Sequence, residues 1–486
     1  MLRDADIGWH IRDGQQILLS HAITRTDSFS STMNGHTWYA WEWLYDLLIA
    51  VVHQMFGLNG VVFCSAAIIA ATFVLTLYLA LRRGGNLPVT LFLLIVALGA
   101  SAVHFLARPH VLSWLFTIIW FELVDSASTV PTHQQGRSLF HLPVLMVFWV
   151  NLHGGFVLGF AVLLLYLIGG AIEYFTAHEA RGEARRWLQR LGLVTLLTLG
   201  ASFINPYGYH LDLHIYGYLS DRFLMNQISE FLSPDFHGAA QQCFAILVIA
   251  TLLTLATVRR RPSAERLLVV LFAAYSGFYA TRNLPTSALL LALVVAPILS
   301  ENVGEAGKNS SVASWLRRGF SRLDSFGARM GNLESRFRGH IWIVLVLVLG
   351  LWACAHHGRL GSAQLMNAYF DDERFPVQAA EYMEQHDLRE PIFSLDYWGG
   401  YLIYSLYPQT KVVVDDRHDL YGDQFFKDYL KVVLVQPEWE QVLDQWQVDW
   451  VLVPSESSLA NLLRLTPKWQ SSYEDNVAVL FHRLKN

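Results

Sequence analysis

The sequence predicts an α-helical polytopic membrane bundle of about ten spans that carries a C-terminal soluble α/β domain. Two observations predict the bundle. The chain is 53% hydrophobic and only 15% charged, where a soluble domain averages about a quarter charged. Apolar runs near bilayer length then recur from residue 58 to residue 300, and again at 340–357. A third observation predicts the appended domain. Past residue 363, short β-branched runs alternate with helical patterns in a stretch long enough to hold its own core.

The segment 1–57 is polar and acidic, with Asp4, Asp6, Trp9 and His10 at its start. Within it, 41–56 is apolar on one face and broken by Glu42, Asp46 and His53, which predicts an interfacial helix. The chain opens without a charged-then-apolar leader, so insertion is expected to rest on internal spans. Those spans are predicted near 58–81, 87–106, 110–126, 139–152, 156–175, 187–204, 240–258, 264–281, 284–300 and 340–357. The polar, basic stretch 301–338 reads as a loop with a helix near 312–337, and the region 358–486 as the α/β domain. There, Val412–Val414, Val451–Val453 and Val477–Leu480 are expected strands. Phe425–Val435, Trp439–Trp446 and Leu459–Leu465 are expected helices.

Cationic residues set the expected orientation. Arg82–Arg83, Arg137, Arg181–Arg190, Arg259–Arg261 and the stretch Lys308–Arg338 fall in alternate loops, which are then cytoplasmic. The segment 1–57 and the C-terminal domain share the opposite face. Cys64, Cys243 and Cys354 all lie in apolar segments without metal-type or disulfide spacing. With a net charge of −5 and no basic block, nothing points to nucleic acid.

On that opposite face fall the polar residues hardest to explain as solvation. Asp4 and Asp6 are two positions apart and suit a general base, a metal site, or both. Arg108 and His110 flank Pro109 in a short turn, and Arg282–Asn283 form another; guanidinium matches phosphate in fork geometry. Snorkelling to lipid headgroups is the structural alternative. Asn151 and His153 close a span ahead of Gly154–Gly155, as a polar helix end or as a ligand group. Trp9, Trp38, Trp41 and Trp43 suit an interface belt better than a sugar-stacking surface. In the C-terminal domain, strand, Gly399–Gly400 turn, helix and strand form a β-α-β unit. Asp396, Trp398, Asp415, Asp416 and Arg417 would converge at its end. An Asp–Arg network that pins a loop is equally open.

With these residues in view, the chain resembles the polytopic glycosyltransferases of the GT-C class. It is closer still to a family of bacterial multi-pass membrane proteins with an acidic first outer loop and a C-terminal α/β domain. That likeness is carried by Asp4-Ala-Asp-Ile-Gly-Trp-His10, Arg25-Thr-Asp-Ser-Phe-Ser30, Glu42-Trp43-Leu44 and Ala107-Arg-Pro-His110. Further along, it is carried by Asn151-Leu-His-Gly-Gly155, Asn205-Pro-Tyr-Gly208, Tyr397-Trp-Gly-Gly-Tyr401 and Asp415-Asp-Arg417. The resemblance implies a sugar donor linked to a polyprenyl phosphate, a glycan, lipid or protein acceptor, and a place in the bacterial inner membrane and envelope assembly. It implies Asp4 or Asp6 as base or as ligand of a divalent metal, Mg or Mn. It also implies His10, Arg108, His110, His153 and Arg282 around the phosphate. GT-C proteins have a span before the acidic loop, whereas here Met1, Leu2 and Arg3 alone precede Asp4. A transporter or flippase for a lipid-linked glycan is a second reading, but it calls for mid-span charges and repeat symmetry that the sequence lacks. A non-catalytic assembly protein is the third.

Overall fold

The computed structural model describes residues 1–129, 136–176, 181–258, 261–337 and 340–484. Arg259, Arg260 and Arg338, counted above among the cytoplasmic charges, lie outside the described residues, as does the side chain of Arg137. Each expected span coincides with a helix. Six helices are long and apolar enough to cross a membrane: Trp43–Arg82, Leu87–His104, His110–Thr129, Gly154–Thr176, Ala239–Thr257 and Thr281–Lys308. His141–Leu152 and Ile341–Ala355 are apolar but shorter. The helix Leu284–Lys308 is the axis of the bundle, packed against Leu87–Ser101, Ala239–Thr257 and Ala264–Tyr279. Ser314–Phe337 is the helix expected in the basic stretch.

The expected interfacial helix and the first expected span are one element, Trp43–Arg82, bent at Gly57. Gly57 has φ 58° and ψ −158°, a region open essentially to glycine alone. The acidic residues that broke its apolar face do not face an interface. A helix over Asp6–Ser20 covers Asp46, which is fully buried, and Glu42 is turned inward and 13% exposed.

The C-terminal domain is built on a mixed four-stranded sheet. After a small hairpin of β1 (Arg359–Leu360) and β2 (Ala363–Gln364) come β3 (Ile392–Ser394), β4 (Trp450–Pro454), β5 (Trp469–Glu474) and β6 (Ala478–Arg483). Their order is β3-β4-β6-β5, with β3 parallel to β4 and the other pairs antiparallel. Two sequence expectations change here. Val412–Val414 is no full strand: Val412 makes isolated parallel bridges to Ile392 and to Ser30. Gly399–Gly400 is no turn either, for both lie inside the helix Asp396–Leu406.

Those glycines hold the two ends of the chain together. A Cβ on Gly400 would sit 2.4 Å from the Ala5 carbonyl oxygen, and one on Gly8 would sit 2.2 Å from that of Gly400. Further along the same helix, a Cβ on Gly14 would fall 1.9 Å from the Asp46 carbonyl oxygen. The helix Asp6–Ser20 is thus wedged between Trp43–Arg82 and Asp396–Leu406 with backbone nearly touching backbone on both sides. Ile7, Trp9, Ile11, Phe29 and Trp38 share one hydrophobic core with Trp398, Tyr401, Leu402 and Val412. Trp9 and Trp38 therefore form no membrane belt. Val in place of Gly14 is expected to destabilise the protein by at least about 2–3 kcal/mol, read as a lower unfolding temperature in detergent. Val at Gly57 should strain only the bend and leave the wedge intact, so Asp6–Ser20 should stay as protected from hydrogen exchange as in the wild type.

Candidate active site

A cavity of 980 Å³ lies where the N-terminal helix, the ends of several bundle helices and the C-terminal domain meet. Of the residues singled out from sequence, Asp4, Asp6, His10, Arg108, His110, His153, Arg282, Asp396, Asp416 and Arg417 all line it. Trp398 and Asp415 do not. Trp398 is a core side chain whose Nε1 donates to the Arg374 carbonyl, and Asp415 is fully buried behind Arg417.

One wall is a chain of guanidinium and carboxylate groups. The Asp6 backbone N–H donates to Asp4 Oδ1 (3.0 Å), and Arg108 Nη1 donates to Asp4 Oδ2 (2.9 Å). The other terminal nitrogen of Arg108 is ion-paired with Asp6. Glu230 joins the two arginine turns. Its carboxylate lies 2.7 Å from Arg282 and 3.7 Å from Arg108. Burial pushes Glu230 up, but Arg282 and Arg108 outweigh it and hold the carboxyl down at about 2. His110 Nε2 donates to the His104 carbonyl (3.0 Å), which braces the turn.

The floor is made by His10, Glu42, Asp46 and His153. His10 Nδ1 lies 2.5 Å from Asp46 Oδ1, and its Nε2 lies 3.7 Å from Glu42. His153 Nδ1 accepts from the Gly155 N–H (3.0 Å) and meets Ser113 Oγ at 2.7 Å. Its Nε2 lies 3.4 Å from an Arg282 Nη and 3.6 Å from the other Glu42 oxygen. Burial pushes Glu42 up to about 7 against the pull of Arg282 and Arg108.

The C-terminal wall presents Asp396, Asp416, His418 and Asp419. His418 Nε2 meets Asp396 Oδ2 at 2.9 Å, and Tyr429 donates to Asp396 Oδ1 (2.8 Å). Although burial opposes it, this pairing raises His418 and lowers Asp396. Arg417 forks onto Asp415 at 2.8 and 2.7 Å, reaches Asp27 at 2.8 Å, and lies 4.5 Å over the Trp38 ring. Of the two readings left open for that motif, the loop-pinning network describes Asp415 and Arg417, while Asp416 faces the cavity. Ligand atoms of Asp4, Asp6 and Asp416 all lie within 4.8 Å of one another, a set that could hold a metal ion.

Sequence reasoning missed Glu42, Asp46 and His418 as site residues, and grouped Glu230 with the polar residues of this face without giving it a role. For the first two a signal was present. Glu42 and Asp46 are four apart, so they share one helix face, and that face was the broken one.

No protein-family model matches the chain, and no curated protein matches it in sequence. Solved structures do match. ArnT from Cupriavidus metallidurans in the apo state superposes with a TM-score of 0.50 at 14% identity, covering 98% of this chain and 93% of that one. The chain has an ArnT-like fold. ArnT from the same organism bound to undecaprenyl phosphate gives a TM-score of 0.50 at 12% identity, with the same coverage. At such identities the likeness to ArnT establishes the fold, and the GT-C resemblance read from the sequence holds at that level.

Glu42 sets a pH dependence. Its carboxyl is raised from 4.5 to about 7, so the stability it permits is fully present below pH 4.5 and is lost as pH rises through 7. Glu42→Gln should therefore unfold at a higher temperature than wild type at pH 8, by up to about 3 kcal/mol in stability. The gap should shrink steadily towards pH 5 in a thermal scan; a gap independent of pH would show that Glu42 does not titrate in this range.

Proposed function

We propose that this protein is an integral membrane glycosyltransferase. It transfers a sugar from a polyprenyl-phosphate-linked donor to an acceptor on the non-cytoplasmic face of the bacterial inner membrane. The observation that carries this reading is the single cavity that joins Arg108 and Arg282, bridged by Glu230, to the carboxylates of Asp4, Asp6 and Asp416. It sits in a fold shared with ArnT, which has been solved with undecaprenyl phosphate bound.

The geometry suits a displacement at an anomeric carbon. The acceptor's lone pair forms the new bond, and the bond from that carbon to the phosphate oxygen breaks with its electron pair. Negative charge grows on the departing phosphate, and Arg108 and Arg282 are fixed beforehand to meet it. Asp4, Asp6 and Glu230 hold the two guanidinium groups in place before the lipid arrives. Asp416 and the His418–Asp396 pair face the same space from the C-terminal domain, where the acceptor would lie.

Asp4, Asp6 and Asp416 also fit a divalent cation such as Mg or Mn, which prefers oxygen ligands. Asp416 Oδ1 is buried without a hydrogen-bond partner among the described residues. When bound, such an ion would offset charge on the phosphate. Titration with Mn followed by electron paramagnetic resonance should show one bound ion in the wild type and none in Asp416→Asn. Equal binding by both proteins would remove the metal from this site.

Native mass spectrometry with undecaprenyl phosphate tests the lipid. Arg282→Ala is expected to weaken binding about 10- to 100-fold, in line with the loss of a charge-assisted hydrogen bond. Asp4→Asn and Asp6→Asn, which loosen Arg108, should abolish sugar transfer while the protein still folds. Full function of both Asp variants in cells would sink the catalytic reading, and a transporter would then be the better one.

A further inference from the structure

Resting on the transferase reading, the geometry points to a buried proton path behind the cavity floor. We propose that Glu42 takes the acceptor's proton and passes it to His10, and that Asp46 and Asp13 are positioning residues holding His10 ready to receive it.

The attacking acceptor must lose a proton, and Asp4 is poorly placed to take it. Its Oδ1 accepts from the Asp6 N–H and its Oδ2 from Arg108, and Asp6 is ion-paired with the same guanidinium. Glu42 is differently placed. It lines the cavity, is 13% exposed, and stands between the Nε2 atoms of His10 and His153 at 3.7 and 3.6 Å.

What lies behind Glu42 is unusual for a protein interior. Asp13 and Asp46 are both fully buried, and Gly14, next to Asp13, is pressed on the Asp46 carbonyl, so the two carboxyls lie side by side. Neither oxygen of Asp13 nor Oδ2 of Asp46 has a hydrogen-bond partner among the described residues. Two carboxylates cannot touch in a dry interior with both ionised. A single carboxyl proton between them satisfies the contact, and the pair carries one negative charge. That charge is turned on His10 by Asp46 Oδ1, 2.5 Å from Nδ1.

The consequence is a defined tautomer. His10 Nδ1 donates to Asp46, so Nε2 is left bare and faces Glu42, just as a carboxylate orients the imidazole in a catalytic triad. Burial, with Arg108, Arg417 and His110 nearby, keeps His10 neutral at rest; Asp46 at its Nδ1 is the group that would stabilise an added proton. The groups facing the path are few. Tyr45 and Trp9 pack on the ring of His10, and Thr24, Asp27 and Arg417 lie near Asp13. In the transfer step the acceptor proton moves to Glu42 as the sugar bond forms, and then from Glu42 to His10 Nε2. The product is an imidazolium between Glu42 and the Asp46–Asp13 pair, with the leaving phosphate keeping the electrons of the broken bond.

Full-length protein with 15N-labelled histidine tests the arrangement by NMR. In the wild type His10 should be protonated at Nδ1 and bare at Nε2. Asp46→Leu should lose that preference. Asp13→Asn, whose amide still offers Asp46 a donor, should keep it, and Asp13→Leu should not. Turnover of an undecaprenyl-phosphate-linked hexose supplies the second readout. Glu42→Gln and His10→Gln should each lose at least about 100-fold in turnover, while binding undecaprenyl phosphate within about threefold of wild type. A wild-type His10 protonated at Nε2, or a Glu42→Gln variant with wild-type turnover, overturns the proton path. If the wild type itself neither binds the lipid nor turns over the sugar, the transferase reading fails instead, and the histidine spectrum alone decides the pairing of Asp13, Asp46 and His10.

Discussion

The wedge of the helix Asp6–Ser20 between Trp43–Arg82 and Asp396–Leu406 is the constraint on which the rest of this molecule depends. It rests on three glycines, Gly8, Gly14 and Gly400, at which no Cβ could be accommodated. Backbone contact at these points sets where every side chain on that short helix lies. Asp6 and His10 point to the cavity because Gly8 is pressed on Gly400. Asp13 meets Asp46 because the neighbouring Gly14 is pressed on the Asp46 carbonyl. Glycine in a helix interior costs about 1 kcal/mol relative to alanine, a cost that only tight tertiary packing offsets.

That packing carries a dense set of buried charges. Arg417 is 3% exposed and shared between Asp415 and Asp27, under the ring of Trp38. Arg108 is shared among Asp4, Asp6 and Glu230. Buried ion pairs seldom add net stability, but removing one partner strands the other at a cost of about 3–5 kcal/mol. Such networks fix geometry rather than strengthen the fold. Arg417 ties the N-terminal segment to the C-terminal domain, and Arg108 ties that segment to the bundle.

The bundle was legible in the sequence because lipid requires long apolar runs, and every expected span is a helix. The limits of legibility lie where one residue pattern serves two geometries. Gly399–Gly400 reads as a turn when considered locally, yet in the helix it is a landing surface for another helix. Val412–Val414 has strand composition but finds a partner at one residue on each side. The Asp4–Arg108 and Arg282–Glu230 pairs join residues 104 and 52 positions apart, so no spacing rule could reveal them. Position at the same end of the bundle brought the candidates together on paper. It could not show that Glu230 bridges both arginines, or that Glu42 and Asp46 face inward, because a helix face open to an interface and one covered by a second helix look alike in sequence.

One property follows from how the cavity is assembled. Its floor and cationic wall come from the first 282 residues, and its acidic wall from Asp396 to Asp419. The two are joined by the glycine contacts, by the backbone hydrogen bonds of Phe29 and Ser31 with Val412, and by Arg417 on Asp27. The joints to the C-terminal domain, Gly8 and Ala5 on Gly400 among them, lie outside the membrane-spanning helices. The site is therefore complete only when the C-terminal domain is docked, and whatever binds across the cavity to both walls must favour the docked form. By linkage the converse holds too: each contact that holds the domain in place raises affinity for that ligand. The close-packed glycines and buried arginine then serve binding directly, by making the docked form the resting one.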